Sequence, residues 1–136
     1  MKAYVLDANV LVRFLTRDVP AQARAAAGLL KGAEKGSVVL HLDPAIVAEV
    51  VYVLTSHYKI SRKDVAQALV AVIRSPGIQA EAEGEIVDAL LRFQSMTVDF
   101  ADAWLAARAT ALKIPVASFD RDLDKFKDIS RVQPKG

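Results

Sequence analysis

Cysteine is absent from this 136-residue chain. Disulfides and thiolate metal sites are therefore excluded, and a reducing compartment suits the composition. Histidine is scarce too: His41 stands at the end of an apolar run and His57 near a helix end, places where the imidazole is usually structural or at the surface. Six glycines and five prolines form no low-complexity linker, and no repeat or domain boundary interrupts the chain. No apolar run approaches the ~20 residues of a membrane span. The N-terminal run stops at Asp7, too short for a signal peptide, so a soluble cytoplasmic protein with no membrane partner is expected. The aromatic residues, Tyr4, Tyr52, Tyr58, Trp104 and five phenylalanines, fall mostly at core-like positions, which gives no stacking platform for bases. Neither sign of charge dominates: 18 Lys and Arg face 16 Asp and Glu, for a net charge of +2 and a pI near 9.0. That balance does not itself mark a nucleic-acid binder. Arg13, Arg17, Arg24, Lys31 and Lys35 share the first two helical segments with only Asp18 and Glu34, either as a solvated helix face or as a basic surface.

A hydrophobic fraction of 53% and a charged fraction of 25% belong to an ordinary globular protein. One domain over 1–136 is expected. Residues 2–6 predict a strand. Val10, Leu11, Phe14 and Leu15 predict a helix over 9–16 with Asn9 as N-cap. Pro20 opens a second helix to about Lys35, with Gly36 as its stop. Val38 to Leu40 is a short strand. Asp43 as a capping aspartate and Pro44 at the first helical position start a helix that reaches about His57. Ser61 to Asp64 has the form of a capping box for a helix ending near Arg74, before the Pro76-Gly77 turn. Residues 78–80 predict a strand, 83–95 and 99–113 helices, and 115–119 a strand. A short amphipathic turn with Leu123 and Phe126 and a weak strand around Val132 close the pattern. Helices alternating with short apolar strands indicate an α/β domain with helices on both faces of the sheet.

Two apolar runs each end on an aspartate: Ala3-Tyr4-Val5-Leu6 on Asp7, and Pro115 to Phe119 on Asp120. Consecutive apolar residues suit a parallel strand covered on both faces, and open α/β sheets bind ligands at the carboxyl ends of their strands. Asp7 either helps to cap the next helix or belongs to a site there. Glu49 is the only charged residue between Pro44 and Ser56. It is either buried with a partner or a cation, or it lies on a thin exposed flank of its helix. Asp99 and Asp102 open a helix and read as a capping box, yet capping needs only one of them. Asp120, Asp122 and Asp124 alternate like the start of a calcium loop. Lys125 and Arg131 stand where that loop needs glycine and glutamate, which rejects it. Asp122 and Asp124 also suit a solvated turn.

Clustered carboxylates raise one another's pKa unless a cation compensates. Oxygen-only ligands suit Mg²⁺ or Mn²⁺, and the matching reaction is phosphodiester hydrolysis by a metal-activated water. A haloacid-dehalogenase-type phosphatase also begins with an aspartate after a strand, but Asn9 stands where its second aspartate belongs.

The runs Tyr4 to Val10, Ile46 to Val50, Asp99 to Ala107 and Ser118 to Leu123, in this order and spacing, resemble the PIN domain, and specifically the VapC-type toxin ribonucleases. The resemblance covers almost the whole chain. It implies a three-layer α/β/α fold with a central, mostly parallel sheet of short strands. It also implies a catalytic quartet of Asp7, Glu49, Asp102 and Asp120 holding Mg²⁺ or Mn²⁺, with Asp122 as a further ligand and Asn9 and Ser118 in support. Many relatives carry threonine where Ser118 stands. An RNA substrate, a cognate antitoxin and a homodimer are implied as partners, and Arg13 and Arg121 are candidates for substrate contacts. The alternatives are a PIN nuclease in RNA processing or on DNA outside any toxin–antitoxin pair, and a catalytically silent PIN-like module.

Overall fold

A computed structural model describes residues 2–136, which form two compact units, one through Glu83 and one from Gly84. In the first unit β1 (Lys2–Val5), β2 (Val38–Leu42) and β3 (Ile78–Ala80) form a wholly parallel sheet in the order β1-β2-β3. Helices α1 (Ala8–Thr16) and α2 (Pro20–Glu34) connect β1 to β2. From β2 to β3 the chain runs through α3 (Pro44–Tyr52), a π-helical turn (Val53–His57) and α4 (Arg62–Ile73).

The central strand β2 buries Val38, Leu40 and Leu42. It extends two residues beyond the run expected from sequence, because His41 and Leu42 pair with Gln79 and Ala80 of β3. The expectation that the 3–6 run is covered on both faces needs correction: β1 is exposed along its length, with Val5 73% accessible, and only Leu6 is buried. Within this unit's sheet it is an edge strand, paired with β2.

Asp7, not Asn9, caps α1: its Oδ1 accepts the Ala8 N–H at 2.8 Å. Ser61 caps α4 as expected, accepting the Asp64 N–H at 3.1 Å. The expected cap by Asp43 needs correction: the residue occupies the N-cap of α3 without a side-chain cap bond. There Pro44 at the first helical position supplies the start by its preset φ. Within the π turn Thr55 Oγ1 donates back to the Val51 carbonyl at 2.7 Å, a bond that bends helices.

The second unit contains α5 (Glu83–Ser95) from its second residue on, α6 (Phe100–Leu112), β4 (Val116–Ala117), a 3₁₀ turn (Arg121–Lys125) and β5 (Arg131–Val132), with β4 and β5 parallel. The expected 115–119 strand is thus two residues long. Ile86, Val87, Leu90 and Phe93 of α5 are buried, as are Ala103, Ala106 and Ala107 of α6, and Phe93 meets Phe100 edge to face at 6.0 Å. Leu123 and Phe126 are buried, anchoring the 3₁₀ turn as their spacing predicts. Among the described residues, no helix is long and apolar enough to cross a membrane.

Arg92 ties this unit together. Its guanidinium donates to Asp88 at 3.0 Å, to both oxygens of Asp128 at 2.8 and 2.6 Å, and to Thr110 at 3.1 Å, and it lies 5.5 Å from the Phe126 ring centre. The arginine side chain is 13% exposed, but Asp88 and Asp128 are 38% and 54% exposed. Breaking a fully buried pair costs about 3–5 kcal/mol. Here the orphaned carboxylates rehydrate, so Arg92→Ala is expected to lower stability by about 2 kcal/mol. Urea unfolding should show a lower midpoint with an unchanged slope.

Candidate functional site

In the second unit the chain brings Asp102, Asp120 and Asp122 together. One carboxylate oxygen from each lies within 4.8 Å of the others. Asp102 sits in the first turn of α6 and is partly buried, whereas Asp120 and Asp122 are exposed. Asp99 holds the N-cap position of α6 but makes no side-chain cap bond, so the capping-box reading fails for it.

The Asp120–Asp122 segment is shaped by local hydrogen bonds. Ser118 Oγ accepts the Asp120 N–H at 2.9 Å, and Asp120 Oδ1 accepts the Asp122 N–H at 2.9 Å. Lys125 donates to the Thr97 carbonyl at 3.3 Å and approaches Asp122 at 3.7 Å, linking the 3₁₀ turn to the loop before α6. Asp124 is turned away to a bidentate pair with Arg131 at 2.9 and 3.2 Å, and that bond lowers its pKa. The solvated-turn reading of Asp124 holds in part: the residue is exposed, yet paired.

Asp102 has a pKa above the ordinary aspartate value. Burial is the largest cause, followed by repulsion from Asp120, Asp99 and Asp122, with Lys125 opposing. A carboxyl in that position gains from a cation. The donor set fits a small hard one: all ligand atoms are oxygen, and opposite ligands of Mg²⁺ lie about 4 Å apart, a span that modest side-chain adjustment reaches.

Asp7 and Glu49 belong to the first unit. Asp7 is exposed and uses Oδ1 for the helix cap, which does not occupy Oδ2. Glu49 is exposed as well, so the burial argument for it fails and the exposed-flank reading stands. Ala45, Glu49 and Tyr52 are the exposed residues of α3, opposed to buried Val47, Val50 and Val51. Asn9 is exposed in the first turn of α1. Arg13 is engaged in a network: it pairs with Asp18 at 3.1 Å and donates to Tyr58 at 3.1 Å and to Gln22 at 2.9 Å. The Tyr58 hydroxyl donates to Asp18 at 2.6 Å, the largest of the effects that lower the Asp18 pKa. Arg121 is exposed beside Asp124.

The expectation that the aromatics are mostly core-like also needs correction. Tyr4, Tyr52 and Phe119 are 47%, 69% and 70% exposed. Tyr52 follows Glu49 by one helical turn and Phe119 directly precedes Asp120, so both acids have an exposed aromatic neighbour in sequence. Sequence reasoning missed Arg131. A lone arginine in a weak strand carries no signal until the 3₁₀ turn folds back on it.

A protein-family model described as PIN domain matches residues 4–129. No curated protein matches the chain.

Proposed function

The chain belongs to the PIN-domain family, whose members are generally metal-dependent nucleases, and from that premise we propose that it is a Mg²⁺- or Mn²⁺-dependent endoribonuclease, the toxin of a type II toxin–antitoxin pair acting in the cytoplasm. The observation that carries the nuclease reading is the group of Asp102, Asp120 and Asp122 in a chain of this family. The proposed catalytic quartet is Asp7, Glu49, Asp102 and Asp120, with Asp122 as an added ligand. The ribonuclease and toxin readings rest on the four sequence motifs, as do a cognate antitoxin and a homodimer. The fold class is the α/β class of the family, with parallel strands consistent with a three-layer α/β/α arrangement; the proposal treats 1–136 as one such domain.

When bound, the cation supplies an activated water and charge stabilisation for the leaving oxygen. The chain's own groups prepare that position. Asp102 contributes a partly desolvated carboxylate, whose attraction for a cation is strengthened by its surroundings. Ser118 holds the Asp120 backbone, and the Asp122 N–H engages Asp120 Oδ1, which orients Asp120 Oδ2 separately from that bond. Lys125 and Arg121, both exposed on the same turn, suit contacts to a phosphate backbone.

The test is cleavage of a mixed RNA pool, and of single- and double-stranded DNA of matching sequence, with Mg²⁺, Mn²⁺ or EDTA. RNA alone should be cut, and only with metal. Asp7→Asn should reduce the rate by about 10²–10³-fold, the scale on which one charge-stabilising group acts. Cleavage of DNA in preference to RNA sinks the ribonuclease reading, and activity that survives EDTA sinks the metal-dependent one. The toxin reading predicts growth arrest on expression, relieved by co-expression of a small upstream open reading frame.

A further inference from the structure

We propose that Arg131 is a positioning residue for the candidate metal centre: it grips both ends of the segment that carries Asp120 and Asp122. This rests on the metal-dependent reading above. At one end, Arg131 Nη1 donates to the Ser118 carbonyl at 3.0 Å. At the other, Nε and Nη2 take the two oxygens of Asp124 at 2.9 and 3.2 Å. A remaining bond, at 3.3 Å, goes to Gln133 on its own strand segment. Between the two grips lie both candidate ligands, held to each other by the Asp122 N–H on Asp120 Oδ1 and to Ser118 by the Asp120 N–H.

The clamp has the rigidity the role needs. Arg131 pairs with Val116 in the β4–β5 ladder, and its side chain is only 12% exposed. Flanking ladder bonds, Val116 N–H to the Ser130 carbonyl and Ser118 N–H to the Val132 carbonyl, hold its backbone. A planar guanidinium can take two carboxylate oxygens and a carbonyl at once in set directions, which a lysine ammonium cannot. Groups that orient metal-binding carboxylates from behind typically change metal affinity by about 10–100-fold when removed.

Mn²⁺ binding to the full chain, without nucleic acid, measured by titration calorimetry, separates positioning from plain stability. Arg131→Gln and Asp124→Asn should each weaken Mn²⁺ binding by about 10–100-fold, and Arg131→Lys should fall between them and wild type. The double variant should lose no more than Arg131→Gln alone, since that variant already removes both the Asp124 and the Ser118 grips. Arg92→Ala, which breaks the other arginine hub, should lower the unfolding midpoint with Mn²⁺ affinity unchanged. Should Arg131→Gln fold poorly, Asp124→Asn carries the test, because it alters an exposed carboxylate on a surface turn. Wild-type affinity in both variants, with binding abolished in Asp102→Asn, overturns the role of Arg131 and leaves the metal centre standing. Absence of Mn²⁺ binding by wild type overturns the metal centre itself and the clamp with it.

Discussion

Replacing Asp102 with asparagine is expected to remove nearly all nuclease activity while making the metal-free protein more stable. The two effects share one cause. The Asp102 carboxyl is partly desolvated and faces Asp120, Asp99 and Asp122, so its charge is unfavourable in the folded state without a cation. A folded pKa above the unfolded value means that the ionised group destabilises the fold at neutral pH. That penalty is lifted as pH falls through the folded pKa. Asparagine keeps the shape and drops the charge. In EDTA at pH 7–8 the variant should therefore melt higher than wild type. The difference should shrink as pH is lowered into the carboxylate range and vanish once Asp102 is protonated in both states. Only the difference between the two proteins is diagnostic, because Asp18, Asp124 and Asp128 have lowered pKa values and destabilise both as they protonate. Millimolar Mg²⁺ should reverse the order by stabilising wild type through binding. Activity should fall by about 10²–10³-fold. A variant no more stable than wild type in EDTA would show that the carboxylates do not repel in solution.

What the sequence could reveal follows from how local each determinant is. The cap by Ser61 and the helix start at Pro44 depend on residues within one turn, and they were legible. Placement of the first cap was off by two residues, because Asp7 and Asn9 are both good caps and the choice depends on where β1 ends. Asp120 was marked by the apolar run it ends, Asp102 by its place in a helix start that needs only one acid, and Asp122 only by the family resemblance; packing of α6 on β4 and the 3₁₀ turn brings the three together. Glu49 shows the limit of composition: an almost wholly apolar helix suggested burial, but burial is decided by the stripe that faces the core. Val47, Val50 and Val51 fill that stripe, which leaves Glu49 on the other side. Arg92 and Arg131 were illegible for a different reason. Arg92 finds Asp128 thirty-six residues away, and Arg131 reaches back to Ser118 across thirteen. No periodicity or motif encodes such pairings; they exist only once the turn between them has formed.

Among glycine substitutions, Gly77→Ala should be the most damaging to the first unit, at about 2–5 kcal/mol. Two independent penalties combine. Gly77 has φ +80°, where a Cβ costs about 1–2 kcal/mol. A Cβ built there would also strike the backbone of Ala33, lying 2.6 Å from its carbonyl carbon and closer still to its oxygen. Backbone cannot move aside as the end of a side chain can, and overpacking of this kind adds about 1–3 kcal/mol. Nor can residue 77 easily retreat: its carbonyl accepts the Leu40 N–H at 2.8 Å, just ahead of the Leu40–Ile78 pairing that sets the β2–β3 register. Gly36 is the internal control. Its φ is +85°, but a Cβ there meets nothing within 4 Å, so Gly36→Ala should carry only the conformational part, about 1–2 kcal/mol. Urea unfolding of both variants isolates the Ala33 contact as the difference between them. Equal losses would mean that α2 and the 76–78 turn separate enough to admit a methyl group. In that event Gly77 serves the left-handed turn alone, and the approach of α2 to β3 is looser than the structure shows.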